Sequence, residues 1–313
     1  MSKKLISFII PSYNEASNIE ELYRRLIQSL EKLSYDFEFV FVDDGSEDGT
    51  VETLASLRAR DPRVKYISLS RNFGHQNALT AGLDHVSGDA VVSMDSDLQH
   101  PPELVPELVR WWEKGYDIVY TYRKSMEDAS LLKRITARFF YGLMNAASQV
   151  QIDPNTSDFR LIDKRVAHAL GALKEHERFY RGLIKWVGFN QKRVDFDAQP
   201  RFSGTGKYTF SKMLRLAAYG FLSYSHLPLY SVIFLCFLFI VLSCVYGAFA
   251  LYQKFAAHIA IPGQMSVLLT ILVVASVQLY AFAIISIYVL KGFHESRKRP
   301  VYIIKEKKGL DDQ

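Results

Sequence analysis

Two long runs, Leu227–Tyr252 and Met265–Leu290, contain no charged side chain. As helices each would be about 39 Å long, enough to cross a hydrocarbon core of about 30 Å with some tilt. A chain of 313 residues has too little other mass to bury two such helices in a soluble core. The predicted architecture is a globular head followed by a membrane hairpin. The connector between the runs holds Lys254, His258, Pro262 and Gly263, so it has one lysine. Lys207, Lys212 and Arg215 precede the first run, and Lys291, Arg297, Lys298, Arg299, Lys305, Lys307 and Lys308 follow the second. The positive-inside bias therefore predicts both termini in the cytoplasm and the connector outside. Met1–Lys4 runs directly into a strand with no signal-peptide pattern, so the head is expected to stay in the cytoplasm. The expected division is a cytoplasmic head with juxtamembrane amphipathic helices over 1–226, a hairpin over 227–290 and a basic cytoplasmic tail over 291–313. The expected location is the inner (plasma) membrane, as a multi-pass protein.

The net charge of +5 lies largely beside the apolar runs. There is no compact Lys/Arg run with interleaved aromatics and no zinc-finger spacing, so nucleic acid is not an expected partner. An anionic lipid surface fits the basic excess better. Cys236 and Cys244 both fall inside the first apolar run and read as packing or lipid-facing residues.

The head alternates strand and helix. Apolar strands are predicted at Leu5–Ile10, Phe37–Val42, Val64–Leu69, Asp89–Met94 and Ile118–Tyr122. Helices are predicted from the Ser17-x-x-Glu20 capping box to about Leu33, from an Asp48 cap to about Arg60, over His75–Val86, and over Pro101–Lys114. Strands separated by helices imply right-handed crossovers and an α/β fold with a mostly parallel sheet. Ligands of such sheets bind beyond the carboxyl ends of the strands. Four loops of reactive composition fall at that edge: Pro11–Glu15, Asp43–Ser46, Ser70–His75 and Asp95–His100.

The fourth loop is the most informative. Val91-Val92-Ser93-Met94 runs straight into Asp95-Ser96-Asp97, and Gln99 follows. Carboxylates at i and i+2 beyond a strand end can converge on one hard cation, Mg2+ or Mn2+, with Gln99 as a third oxygen ligand. Such a cation neutralises charge on a leaving diphosphate. Pro11, Tyr13, Asn14 and Glu15 offer an aromatic face and amide groups to a base and ribose. Asp43 or Asp44 can accept from a base N–H or a ribose hydroxyl, with helix capping as the plain alternative. Arg71 and His75 bring cations near phosphate. No Walker loop ending in Gly-Lys-Ser/Thr and no G-x-G-x-x-G follows the first strand, which argues against an ATPase and a dinucleotide dehydrogenase.

These loops, read as Pro-Ser-Tyr-Asn-Glu, Val-Asp-Asp-Gly-Ser-x-Asp-Gly-Thr, Ser-Arg-Asn-Phe-Gly-His-Gln and Met-Asp-Ser-Asp-Leu-Gln-x-Pro-Pro-Glu, resemble a family 2 glycosyltransferase with the GT-A (Rossmann-like) fold. Ser157-Asp158-Phe159-Arg160-Leu161, Glu177-Arg178-Phe179-x-Arg181-Gly182, Trp186-Val187-Gly188-Phe189 and Pro200-Arg201-Phe202-x-Gly204, with the two spans, are similar to the polyprenyl-phosphate glycosyltransferase group within it. One departure is visible: Gly206 precedes Lys207 where the group usually has Ser or Thr.

The resemblance implies inverting transfer of a hexose from a nucleotide sugar to a polyprenyl phosphate, with UDP-glucose as the best reading of the donor and mannose from GDP-mannose, N-acetylglucosamine or aminoarabinose as alternatives. It implies Asp95, Asp97 and Asp158 as catalytic carboxylates, and Ser96 among the donor contacts. A phosphate monoester is mostly ionised at neutral pH, its second pKa being about 6, so a strong general base is not required. The site instead needs cations that position the acceptor. The candidates are Arg123 after the fifth strand, Arg134 and Arg138 on an amphipathic stretch Leu131–Val150, and Arg201 and Lys207 in the loop after the last soluble strand. That stretch and Tyr208–Ser225 are expected along the bilayer surface. The expected partners are the nucleotide sugar, the polyprenyl phosphate and the bilayer, with homo-oligomerisation left open. Two rivals are weighed. A processive polysaccharide synthase would carry Gln-x-x-Arg-Trp and more spans, and intact Asp95, Asp97, Asp158 and Arg201 argue against a non-catalytic scaffold.

Overall fold

The computed structural model describes residues 3–123, 155–173, 175, 178–197, 227–255 and 263–310. They fall into two compact units. The first is the head together with the segment from Arg299 onward, and the second contains the two long apolar helices.

The head is built on an eight-stranded sheet. Its strands are β1 (Leu5–Ser12), β2 (Asp36–Asp43), β3 (Val64–Leu69), β4 (Ala90–Ser93), β5 (Ile118–Arg123), β6 (Thr156–Asp163), β7 (Gln191–Phe196) and β8 (Ile304–Lys308), in the order β7-β5-β6-β4-β1-β2-β3-β8. The central block β3-β2-β1-β4 is parallel, as the alternation predicted. The flanks are mixed, because β6 runs antiparallel to β4 and β5, and β8 antiparallel to β3. The five predicted strands are present with bounds shifted by a residue or two.

Both faces of the sheet are covered, which is why its strands read as continuous apolar runs. Ile6, Phe8 and Ile10 of β1 face one layer with Phe39 and Phe41, under α1 (Ala16–Leu30), α2 (Thr50–Arg60) and, after a 3-10 turn at Pro102–Leu104, α4 (Val105–Glu113). Ile9, Val40, Val42 and Ile67 face the other, under α3 (His75–Leu83), α5 (Lys164–Ala172) and α6 (Tyr180–Trp186). Helix α1 buries Ile19, Leu22, Leu26 and Leu30, a three-and-four spacing along one face.

Three local expectations are corrected. Ser17 lies inside α1 and caps nothing: the N-cap is Glu15, and Ala16 N–H donates to Asp48 at 3.2 Å. Asp48 holds the start of α2 through Thr50 N at 3.1 Å, but Gly49, in the left-handed region, is the N-cap. The segment beyond the second apolar run is more than a tail. Its Ile304–Lys308 becomes β8, and Tyr302 packs in the second core layer and donates to Asp84 at 2.9 Å.

The second unit contains α7 (Leu227–Phe255) and α8 (Gly263–Ser296). Both are long and apolar enough to cross a membrane. Cys236 and Cys244 lie exposed on α7.

Candidate active site

The carboxyl ends of β1, β2, β3 and β4 bring the four predicted loops to one edge. β6 runs the other way, with Arg160 opposite Ser93, so its first residues Thr156–Asp158 reach the same edge beyond the end of β4. Arg123 closes β5 there, half-buried, its N–H donating to Asn155 O at 3.1 Å. Arg134, Arg138, Arg201 and Lys207, like the stretches Leu131–Val150 and Tyr208–Ser225, lie outside the described residues.

Asp95 sits between two imidazoles. His75 Nε2 is 2.7 Å from its Oδ1, and His100 Nδ1 is 3.6 Å from its Oδ2. Burial would raise the Asp95 carboxyl, but the His100 and His75 rings outweigh it and hold the group at about 2. Burial would lower the His75 imidazole, and Asp95 instead lifts it to about 9. Gln76 Nε2 lies 3.2 Å from His75 Nδ1, and Gln76 Oε1 accepts from Tyr180 N–H at 3.2 Å. That backbone donor holds the Gln76 amide beside the ring, and Nε2 carries the ring N–H that faces Asp95. His100 is buried, accepts Asp95 N–H on Nδ1 at 3.1 Å, meets Ser157 Oγ through Nε2 at 2.6 Å and stacks on Phe159.

Asp97 accepts Gln99 N–H at 3.1 Å, which sets the tight loop in which buried Leu98 takes φ +60°. A branched side chain in the left-handed region is costly and is held there by its surroundings. Among the described residues no three His, Cys, Asp or Glu side chains are arranged to cage a metal. Two hard carboxylates on one short loop instead suit an ion whose other positions are filled by substrate oxygens and water. The donor set thus fits Mg2+ or Mn2+.

Several predicted ligand contacts turn out to hold the loops together. Asp44 is buried and accepts Phe73 N–H at 2.7 Å and Gly74 N–H at 2.9 Å. Its burial raises the carboxyl, and those two donors only partly offset it. Asp43, also buried, accepts from Ser46 N and Ser68 Oγ at 3.1 and 2.8 Å. Ser96 Oγ donates to Pro11 O at 3.1 Å. Asn14, at φ +54°, bonds Ser46 and Glu47, and Glu15 N–H donates to Thr50. Tyr13 is half-buried at the same edge. Arg71 is exposed and lies over its neighbour Phe73, 4.0 Å from the ring centroid.

Asp158 is the best-anchored acid of the site. Oδ1 accepts from Arg160 at 2.7 Å and from Arg181 Nε at 3.2 Å, and Oδ2 from Arg181 at 2.8 Å. Burial opposes its charge, yet the Arg181 and Arg160 guanidinium groups hold the carboxyl far below the usual carboxylate range. Its own carbonyl accepts from Ser93 Oγ at 2.7 Å. Arg160, Arg181, Gln76 and His100 stood in the quoted motifs and loops, but the sequence assigned none of them a role of its own. Arg160 stood in the Ser157–Leu161 motif, and its period-two spacing from Asp158 puts both on the same face of β6.

The family model for glycosyl transferase family 2 matches residues 7–171, a span that contains all four loops and Asp158. An uncharacterized glycosyltransferase of Synechocystis sp. is 39% identical over 98% of this chain and 96% of its own length. The bactoprenol glucosyl transferase of Shigella phage SfV is 36% identical over 97% of this chain and 99% of its own. A solved structure, glucosyl-3-phosphoglycerate synthase from Mycobacterium tuberculosis with Mn2+, UDP and phosphoglyceric acid, superposes with a TM-score of 0.47 at 19% identity, covering 70% of this chain and 76% of that one. The family model and the end-to-end relatives span the sheet and the loops on which the site is built, and the chain is a glycosyltransferase of family 2 with a mixed α/β, GT-A-like head.

Proposed function

We propose that this glycosyltransferase moves a hexose from a nucleotide sugar to the phosphate of a polyprenyl phosphate at the cytoplasmic face of the membrane, with inversion and with glucose from UDP-glucose as the best reading of the donor. The observation that carries it is the end-to-end match to proteins named for glucosyl transfer to bactoprenol.

The geometry supports an acceptor that arrives already ionised. Among the described residues, Asp95 is bonded to His75, and Asp158 is paired with two guanidinium groups. Neither is placed as a proton acceptor, which a sugar hydroxyl would need and a phosphate dianion would not. A divalent ion held by Asp95 and Asp97, with Gln99 as a further oxygen donor, would supply Lewis-acid stabilisation of the departing diphosphate. Loops 11–15 and 43–46 frame the donor, and Asp43, Asp44 and Ser96 act by shaping those loops. Arg123 is at the right edge for the acceptor phosphate. Arg134, Arg138, Arg201 and Lys207 remain the further candidates for it.

Lipid access follows from the second unit. The windows Tyr230–Phe249 and Val273–Ser296 bury none of their residues within the protein. So large an apolar surface calls for a hydrocarbon environment. Because β8, beyond α8, belongs to the same sheet as β1, two crossings return the chain to the side on which it began.

The test is product formation by the full chain in nanodiscs containing undecaprenyl phosphate and Mg2+, with UDP-glucose, GDP-mannose and UDP-N-acetylglucosamine supplied in turn. Lipid-linked glucose with stoichiometric UDP release is the expected result. A different productive sugar would change the donor and keep the acceptor. Equal turnover without the lipid phosphate would overturn the reading.

A further inference from the structure

We infer that His100 is a positioning residue of this site: it ties the Asp95 loop to the first residues of β6, beside Asp158. The inference rests on the proposed function for what the Asp95 loop binds, and on geometry for the tie. The ladder between β4 and β6 ends at the pair Ser93–Arg160. Beyond that pair side chains take over. Ser93 Oγ donates to Asp158 O at 2.7 Å. His100 makes the next link: its Nδ1 accepts Asp95 N–H at 3.1 Å, and its Nε2 lies 2.6 Å from Ser157 Oγ.

The ring has little freedom. It is 7% exposed, stacks on Phe159 with centroids 5.4 Å apart and meets Phe196 of β7 edge-on at 6.2 Å. Ser157 Oγ also accepts Phe159 N–H at 3.2 Å, so the far end of the link is anchored on the β6 backbone. Strand alternation puts Ser157 and Phe159 on the face of β6 opposite Asp158. Arg160 and Arg181 hold the Asp158 carboxylate on one face, and His100 holds the strand from the other. Buried to this degree, His100 works through its two partners and not on a substrate. One partner is the backbone of a candidate ion ligand, and the other adjoins Asp158. The ring therefore fixes the register between the two halves of the site. Outer partners of metal-ligating groups are typically worth about 10- to 100-fold in affinity or activity. A misplacement of about 1 Å between reacting groups costs about 100-fold in rate.

The experiment uses the full chain in nanodiscs with His100→Phe, His100→Asn, Ser157→Ala and the double variant His100→Phe/Ser157→Ala. His100→Phe keeps a flat ring on Phe159 and loses both bonds, whereas the shorter amide of His100→Asn can still accept Asp95 N–H. One arm measures Mn2+ affinity in the presence of UDP by calorimetry, which needs no lipid acceptor. The other measures kcat at saturating Mn2+, donor and undecaprenyl phosphate, beside the thermal midpoint of each variant. His100→Phe should weaken Mn2+ binding about 10-fold and lower kcat about 10- to 100-fold, with His100→Asn recovering part of the Mn2+ loss. Ser157→Ala should lower kcat as well, and the double variant should be little worse than His100→Phe alone. A folded His100→Phe with unchanged Mn2+ affinity and unchanged kcat overturns the inference, whatever its thermal midpoint, as does full additivity in kcat. If the wild type makes no lipid-linked sugar, the proposed function fails, and the Mn2+ arm alone still decides His100.

Discussion

Asp44 and Gly45 sit against the Ser70–His75 loop, and their effect on it is transmitted through backbone. Asp44 holds two successive N–H groups, Phe73 and Gly74, one on each oxygen. Gly45, at φ +73°, lies so close to the same loop that a Cβ would stand 2.5 Å from Arg71 C. Asp44→Asn puts an NH2 against a backbone donor and should cost about 1–3 kcal/mol of stability. Gly45→Ala meets both a clash and an unfavourable φ. Each should raise KM for the nucleotide sugar, measured beside the thermal midpoint, and unchanged KM in both would show the loop to be held by other means. On the proposed reading, Asp95→Asn and Asp97→Asn each remove a ligand of the divalent ion. Each should lower kcat by about 100- to 1000-fold, and EDTA should abolish wild-type turnover until Mg2+ or Mn2+ is restored. Turnover that survives both substitutions would end the metal assignment. The position of Asp95 and Asp97 at the carboxyl edge of the sheet was legible in the sequence because an apolar strand runs into them. The inward roles of Asp43, Asp44 and Ser96 were not, since composition cannot tell a carboxylate facing a ligand from one facing its own backbone. Arg160 and Arg181 were hidden for a related reason: their importance lies in a shared partner, Asp158, 23 residues away from Arg181.

At the scale of elements, burial decided what could be read. β1 to β4 are buried on both faces and announce themselves as apolar runs. β6, Thr-Ser-Asp-Phe-Arg-Leu-Ile-Asp, hides its strand character behind Asp158 and Arg160, which are buried but paired. β7 and β8 are the outer strands of the sheet, and Gln-Lys-Arg-Val-Asp-Phe and Ile-Lys-Glu-Lys-Lys carry the charges that discourage edge-to-edge association. The same charges made β8 look like a basic tail. The joint between α2 and β3 offers a pH test. The Arg63 guanidinium holds the Asp61 carboxyl at about 2, below its ordinary 3.8, and Tyr23 of α1 donates to the same carboxylate. A lowered carboxyl supports the fold above about pH 4 and loses that support as pH falls through 2. Partial exposure limits the effect, so Asp61→Asn should cost under about 1 kcal/mol at neutral pH. The gap between wild type and variant in thermal unfolding should close between pH 4 and 2, and a constant gap across that window would exclude this pairing as its source.

The head of this molecule is not one continuous piece of chain. β1 to β7 precede the two apolar helices and β8 follows them, yet β8 pairs with β3 over Tyr66–Leu69. The returning segment also accepts Ser70 N–H on Ile303 O at 2.9 Å, right where the His75 loop begins. It accepts the Tyr66 hydroxyl on Glu306 at 3.1 Å and packs Tyr302 and Ile304 into the second core layer. Ending the chain at residue 226 would therefore do more than remove an anchor. It would leave the β3 backbone edge unpaired, uncover part of that layer and loosen the start of a site loop. A variant in which 227–298 is replaced by a Gly/Ser linker of about 30 residues, with a mean span of roughly 30 Å, would keep β8 while removing the apolar helices. Its thermal midpoint should exceed that of the 1–226 chain by several degrees, since about 1 kcal/mol moves a head of this size by roughly 2–4 °C. It should also bind UDP with Mg2+ more tightly and stay monodisperse where the shorter chain aggregates. Equal midpoints and equal affinities would show that β8 is dispensable to the head.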